Sequence, residues 1–224
     1  MNEHKNIIIS EQLLAKSVRI GAEKTRINDA EGMQHKQYFR KRMEREGDHS
    51  LFWHTRGTIA EAGVLQYLET ISDFFTLPQP EWTGGYAWTK LERKKNAGCP
   101  DITWLGEEIE VKGMETFSRP IGINRADAEK GRTQILSIVR PLKWQDFEKA
   151  GEVWDRQVTL TGCLHLGDFW EDAFGERVWE TLPVPSYDTT HGWGCRQVQQ
   201  TALQDLGVWA RQVVERHMSR TSAA

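Results

Sequence analysis

Two short alternating runs constrain this chain more than any other feature of its 224 residues. Asp101 to Leu105 and Glu108 to Lys112 are separated by Gly106-Glu107. Two connecting residues with Gly first suit a type II′ turn, so the segment predicts a β-hairpin. Alternate side chains of a strand share a face. Glu108, Glu110 and Lys112 therefore fall on one side, and Ile109 and Val111 on the other. A two-residue turn pairs Leu105 with Glu108, Thr103 with Glu110 and Asp101 with Lys112, and paired residues project to one face. Asp101, Glu110 and Lys112 are expected to converge there. Ile102, Trp104, Ile109 and Val111 are expected to enter a core on the opposite face. Two carboxylates and an ammonium at close quarters suit a hard cation, since Mg²⁺ takes oxygen ligands and keeps several waters. The competing account is a solvated sheet face with a Glu–Lys pair, which is worth little energetically.

The flanking sequence predicts the rest of a mixed α/β domain. Residues 10–48 are polar and helix-permissive, with Ser10-Glu11-Gln12 as a helix start. Thr55 to Ile71 predicts a helix with Ile59, Val64, Leu65, Leu68 and Ile71 apolar. Glu61 stands four residues before Leu65 and seven before Leu68, on that apolar stripe. A buried carboxylate is rarely left unpaired, so a metal or a Lys on the sheet beneath is the expected partner. Leu77 to Glu81 predicts a connector, Tyr86 to Leu91 a strand, and Glu92 to Gly98 a basic loop. Asn124 predicts the cap of a short helix reaching Arg132, with Asp127 in the capping-box place. Ile135 to Val139 and Val158 to Leu166 predict strands, Gly192 to Gly194 a loop, and Arg196 to Met218 an amphipathic helix.

Pro100-Asp101 followed by Glu110-Val111-Lys112 resembles the PD-(D/E)XK nuclease motif. Glu61 stands where that superfamily often carries an upstream acidic residue. The order helix, three strands, helix, strand over residues 55–140 is similar to its restriction-endonuclease-like α-β-β-β-α-β core. The resemblance implies an α/β fold with a mixed central sheet flanked by helices. It implies one nuclease domain over 1–224, with a helical N-terminal extension (1–54), the catalytic core (55–140) and a C-terminal strand-and-helix addition (141–224). It further implies that Asp101 and Glu110 ligate Mg²⁺ together with the Val111 carbonyl, with Mn²⁺ able to substitute. Lys112 would position or activate the attacking water. Glu61 would ligate a second metal or hold a metal-bound water. The reaction would be hydrolysis of a phosphodiester, with the cation offsetting charge that grows on the phosphate.

Substrate contacts are expected from Lys90, Arg93, Lys94 and Lys95 before Asp101, from Ser118 and Arg119 after the second strand, and from Arg125, Lys130 and Arg132 on the short helix. Gln134, at the start of the next strand, is a further candidate, against the plainer reading of an ordinary strand residue. Contacts of this kind give affinity without sequence information. DNA is the expected partner because most of the superfamily acts on it, whether the chain is a restriction-type endonuclease, a phage or RecB-like recombination exonuclease, or a structure-selective resolvase. A homo-oligomer or a separate helicase or recombination partner is compatible with each role. The alternative is a non-catalytic, nuclease-like module that binds DNA or protein.

Composition excludes several other classes. A hydrophobic fraction of 38% with ten Trp is not that of a disordered chain. Three Cys without a CxxC pair argue against a disulfide framework and favour a reducing, cytoplasmic setting, or a host cytoplasm for a phage protein. Ile7 to Ile9 is too short for a membrane span or a secretory segment, and no membrane partner is expected. The net charge of −3 does not itself point to nucleic acid, although Arg40-Lys41-Arg42 and Lys90 to Lys95 are local basic clusters. There is no GxxxxGK[ST] loop. Zinc at His165, His191 and Cys195, a Cys163 nucleophile, and base stacking by Trp53, Trp82, Trp88 and Trp104 are weaker readings.

Overall fold

In the computed structural model the hairpin forms, with its turn one residue earlier than expected. The structure describes residues 4–30, 47–86, 89, 91–92, 99–114, 121–124, 130–166, 195–198 and 203–222. Strand β3 (Ile102–Trp104) pairs with β4 (Glu107–Met114) through Ile102↔Ile109, Thr103↔Glu108 and Trp104↔Glu107. The turn residues are Leu105 and Gly106, with φ of 51° and 88°. Positive φ at both central residues is the signature of a type I′ turn, not type II′. Pairing is thus displaced by two residues from the expected register. A displacement of one would exchange the faces, whereas two preserves them. Ile102, Trp104, Ile109 and Val111 are accordingly buried together in the core.

Six strands form the main sheet, in the order β1-β7-β6-β4-β3-β2. Its other members are β1 (Lys5–Ile8), β2 (Glu81–Trp82), β6 (Thr133–Val139) and β7 (Gln157–His165). Only β4 and β6 run parallel; the remaining neighbours are antiparallel. A separate antiparallel pair joins β5 (Ile121–Asn124) to β8 (Cys195–Val198). The helices are α1 (Glu11–Ala30), α2 (Ser50–Phe75), α3 (Trp144–Lys149) and α4 (Leu206–Ser222). None of the described helices is long and apolar enough to cross a membrane.

One face of the main sheet carries the core. Ile109, Val111, Ile135, Val139, Val158 and Leu160 pack there with Ile59, Leu65 and Leu68 of α2 and with Trp209 and Val213 of α4. Burying a side chain of this kind stabilises the fold by roughly 1.5–3 kcal/mol. Two close approaches fix α2. A Cβ on Gly63 would lie 2.5 Å from Val158 Cγ1, and one on Gly21 would lie 2.5 Å from the Thr55 Cα, so α1 lies directly on α2. Trp82 and Trp104 are buried, and the Trp104 indole donates to Ser72 Oγ at 2.9 Å. With Trp53 also in the core, none of these three indoles is placed to stack on bases.

Four local expectations are corrected. Tyr86, Thr89 and Leu91 belong to no strand. Thr89 Oγ1 donates to Glu92 Oε2 at 2.7 Å and accepts from the Glu92 amide, a capping box that opens a helical turn at Leu91-Glu92. The strand beside β3 is instead β2, at the end of the expected connector. Asn124 does not cap a helix but ends β5, paired with Cys195, and Lys130 and Gly131 form a turn. Residues 125–129 lie outside the described residues. The C-terminal helix starts at Leu206, not Arg196, because Asp205 Oδ1 accepts the amides of Gly207 and Val208 at 2.9 and 3.0 Å. Arg196 to Val198 are strand. Finally, α2 begins at Ser50 and so crosses the expected boundary at residue 55, while β1 joins the same sheet as the strands of 55–140.

Candidate functional site

Asp101 sits where β3 leaves the regular ladder. Its N–H donates to the Ile109 carbonyl at 3.0 Å, one residue out of register with the Ile102↔Ile109 pair. Its Oδ2 accepts the Val111 N–H at 2.7 Å. The Asp101 carboxylate is thereby fixed to the backbone between Glu110 and Lys112. A charge-assisted bond of this kind contributes about 1.5–3 kcal/mol.

Glu61 approaches from α2. The segment after β2 is stitched to the start of β3, with the Thr83 hydroxyl donating to the Pro100 carbonyl and the Gly84 amide donating to the Asp101 carbonyl at 2.8 Å. Gly84 lies between the Glu61 carboxylate and the Asp101 backbone: a Cβ there would be 2.5 Å from Glu61 Oε2 and 3.3 Å from the Asp101 carbonyl oxygen. Glu61 Oε2 accepts the Trp82 indole N–H at 2.9 Å, and Oε1 lies 3.6 Å from Lys24 Nζ. Lys24 also donates to the Gly84 carbonyl at 3.0 Å. The partner of the buried carboxylate is therefore a lysine of α1, not one on the sheet. Burial pushes the Glu61 carboxyl up to about 7, Lys24 draws it down, and the Asp101 charge pushes it up again.

The second cluster lies on β4 and the start of β6. Glu110 is 8% exposed. Its Oε1 accepts from Arg132 Nη1, and its Oε2 lies 3.8 Å from Lys112 Nζ. Arg132, 2% exposed, also donates from Nε to Glu108 Oε2 at 2.8 Å. This follows from the parallel register, in which Glu110 stands opposite Gln134 and residue 132 therefore falls level with Glu108. Gln134 is buried, and its Nε2 finds no hydrogen-bond partner among the described residues. Lys130 is exposed on the turn.

The structure thus brings Glu61 close to Asp101, ties Asp101 to the Val111 amide, and sets Glu110 beside Lys112. Among the described residues, no three His, Cys, Asp or Glu side chains are grouped so as to hold a metal ion. Lys90, Arg93, Lys94, Lys95, Ser118, Arg119 and Arg125 lie outside the described residues, as do Arg40-Lys41-Arg42, Trp88 and His191. Cys163 is fully buried, and burial with the nearby Asp205 charge pushes its thiol up to about 12, which removes it as a nucleophile at neutral pH. Sequence reasoning missed Lys24 and missed Arg132 as the clamp on Glu110. For Lys24 a signal existed: it falls on the helix face that carries Ser17, Ile20, Gly21, Ile27 and Asn28.

The Glu61 environment has a measurable consequence in the metal-free chain. Between pH 4.5 and about 7 the folded chain keeps a proton that the unfolded chain has released. Where the folded state binds more protons, stability falls as pH rises. In EDTA, raising the pH from 5 to 8 is expected to lower the unfolding free energy through this group by about 3 kcal/mol. Urea titrations at the two pH values should show that loss in the wild type and its disappearance in Glu61→Gln.

Comparison with protein-family models, with curated proteins and with solved structures found no match.

Proposed function

We propose that this chain is a metal-dependent nuclease with a PD-(D/E)XK site, hydrolysing DNA phosphodiester bonds. One observation carries the reading: the Asp101 carboxylate is bonded to the backbone N–H between Glu110 and Lys112, while the buried Glu61 lies across Gly84 from the Asp101 backbone carbonyl. The elements run α2, β2, β3, β4, β5 and β6, and the start of that order, together with β4 running parallel to β6, supports assignment to the α-β-β-β-α-β core. In the crossover between β4 and β6 the described residues form the strand β5 and a turn, so the core's second helix has no counterpart among them.

The donor set fits Mg²⁺. It offers hard oxygens, and Glu61 and Asp101 are like charges whose proximity a cation relieves. That no three carboxylates group together among the described residues is in keeping with an ion that takes one or two carboxylates, retains waters and is completed by substrate phosphate. Asp101, Glu110 and the Val111 carbonyl would hold it. Bound there, the ion supplies positive charge against the phosphate and makes water a better acid. The chain's own groups do the rest. The Val111 amide orients Asp101, and Arg132 holds Glu110 at one oxygen. Lys112, with its side chain 43% exposed, is placed to hold the attacking water and the phosphate from the solvent side. Within this reading the chain is a restriction-type endonuclease or a recombination exonuclease, acting with or without a separate motor protein.

A specific observation favours a second reading. The Glu110 charge is already balanced by a buried arginine, as suits a non-catalytic, nuclease-like module that binds DNA or protein. DNA cleavage decides between the two: the nuclease cuts in Mg²⁺ and stops in EDTA, and the module does neither.

A further inference from the structure

We infer that Lys24 stands in for a second metal ion, so that the site takes a single divalent ion at Asp101 and Glu110, with Glu61 serving to hold Lys24. The inference rests on the nuclease reading and deepens it. Two-metal phosphodiesterases place their ions about 3.5–4 Å apart, sharing the acidic residues between them. Here the carboxylate that would serve the second ion is engaged at both oxygens by groups held in the fold, whereas the cation facing Glu110 Oε2, Lys112 at 3.8 Å, has a 43% exposed side chain that can turn aside. Oε1 faces the Lys24 ammonium at 3.6 Å, and Oε2 accepts the Trp82 indole N–H at 2.9 Å. The Trp82 ring is in the core and cannot swing away without opening it.

Lys24 is as firmly placed as its partner. Its ammonium donates to the Gly84 carbonyl at 3.0 Å, and the Gly84 amide donates to the Asp101 carbonyl at 2.8 Å. Its side chain is 19% exposed, and its stem leaves the face of α1 that packs on α2. A lysine ammonium is a compact point charge with three donors. Positioned like this, it puts a fixed positive charge against Glu61 and the Gly84 carbonyl, where the second ion would stand. A second divalent ion on Glu61 would have to displace that ammonium or stand against its charge.

Mn²⁺ tests this, because the free ion can be counted by its paramagnetic resonance signal as it is titrated into the full chain at pH 7.5. The expected result is one Mn²⁺ per chain in the wild type and two in Lys24→Met, where Glu61 is released. The double variant Lys24→Met/Glu61→Gln, which removes both charges and so spares the fold a lone buried carboxylate, should return to one. Two ions in the wild type would overturn the inference and leave the nuclease reading standing. One ion in Lys24→Met would likewise overturn it, since Lys24 would not be what keeps the second ion out. No bound ion in a folded wild-type chain would overturn the nuclease reading itself, and this inference with it.

Discussion

Asp101→Ala is expected to leave a folded protein that no longer cuts DNA in Mg²⁺, with a loss of at least ~10³-fold. Asp101 links the hairpin backbone to the Glu61 end of the site. Its carboxylate is held by the Val111 amide, its carbonyl by the Gly84 amide, and its charge is felt by Glu61. Removing the side chain leaves an amide without its acceptor but no hole in the core, because Asp101 lies at the rim of the sheet. The expected cost in stability is therefore only about 1–3 kcal/mol. Lys112→Ala should lose cleavage to a similar extent for a different reason. The carboxylates remain, so metal binding should persist, and only the group proposed to hold the water and the phosphate is gone. Circular dichroism and a thermal midpoint establish that each variant is folded. If Asp101→Ala cut DNA at the wild-type rate, the motif would be a coincidence of spacing.

Arg132→Met is expected to be the most destabilising single change on this face, at about 3–5 kcal/mol. Arg132 is 2% exposed and clamps both Glu108 and Glu110. Removing it takes the hydrogen-bonded guanidinium from the buried Glu110 carboxylate, which Lys112 faces from 3.8 Å. Cutting the other arm is different. Glu108 has a half-exposed side chain, so Glu108→Gln should cost only ~0–1 kcal/mol. The double variant Arg132→Met/Glu110→Gln should recover part of the loss, because both buried charges leave together. Urea midpoints measure all three. Equal effects from Arg132→Met and Glu108→Gln would mean that the clamp on Glu110 carries no special weight.

The face of the hairpin was legible in the sequence, and its register was not. Alternation assigned Ile102, Trp104, Ile109 and Val111 to the core, and they are there. The turn was misplaced because Gly106 as first turn residue is the locally favourable choice, whereas the structure puts Leu105 at φ 51°. A bulky side chain at positive φ is unfavourable, so only the pairing of the two strands could select it. The edge strands β1 and β2 are four and two residues long, too short for a period to register. The helix expected from Arg196 overran because apolar spacing continued through a segment that pairs with β5.

The same physical reason governs the site. Glu61, Asp101, Glu110 and Lys112 could be proposed from the sequence because their spacing follows from one helix and one hairpin. Lys24 and Arg132 could not be paired with them, because their positions depend on how α1 packs against α2 and on the parallel register of β4 and β6. Local pattern identifies the acidic groups, and long-range packing decides which cations meet them.

The account stands most directly on one assay: wild-type protein incubated with linear duplex, supercoiled circle, single strand and a four-way junction, in Mg²⁺, Mn²⁺ or EDTA. It predicts cleavage of at least one substrate with either ion, none in EDTA and none by Asp101→Ala. A folded wild-type chain inert on every substrate with both ions would contradict it, and the site would then be that of a binding module.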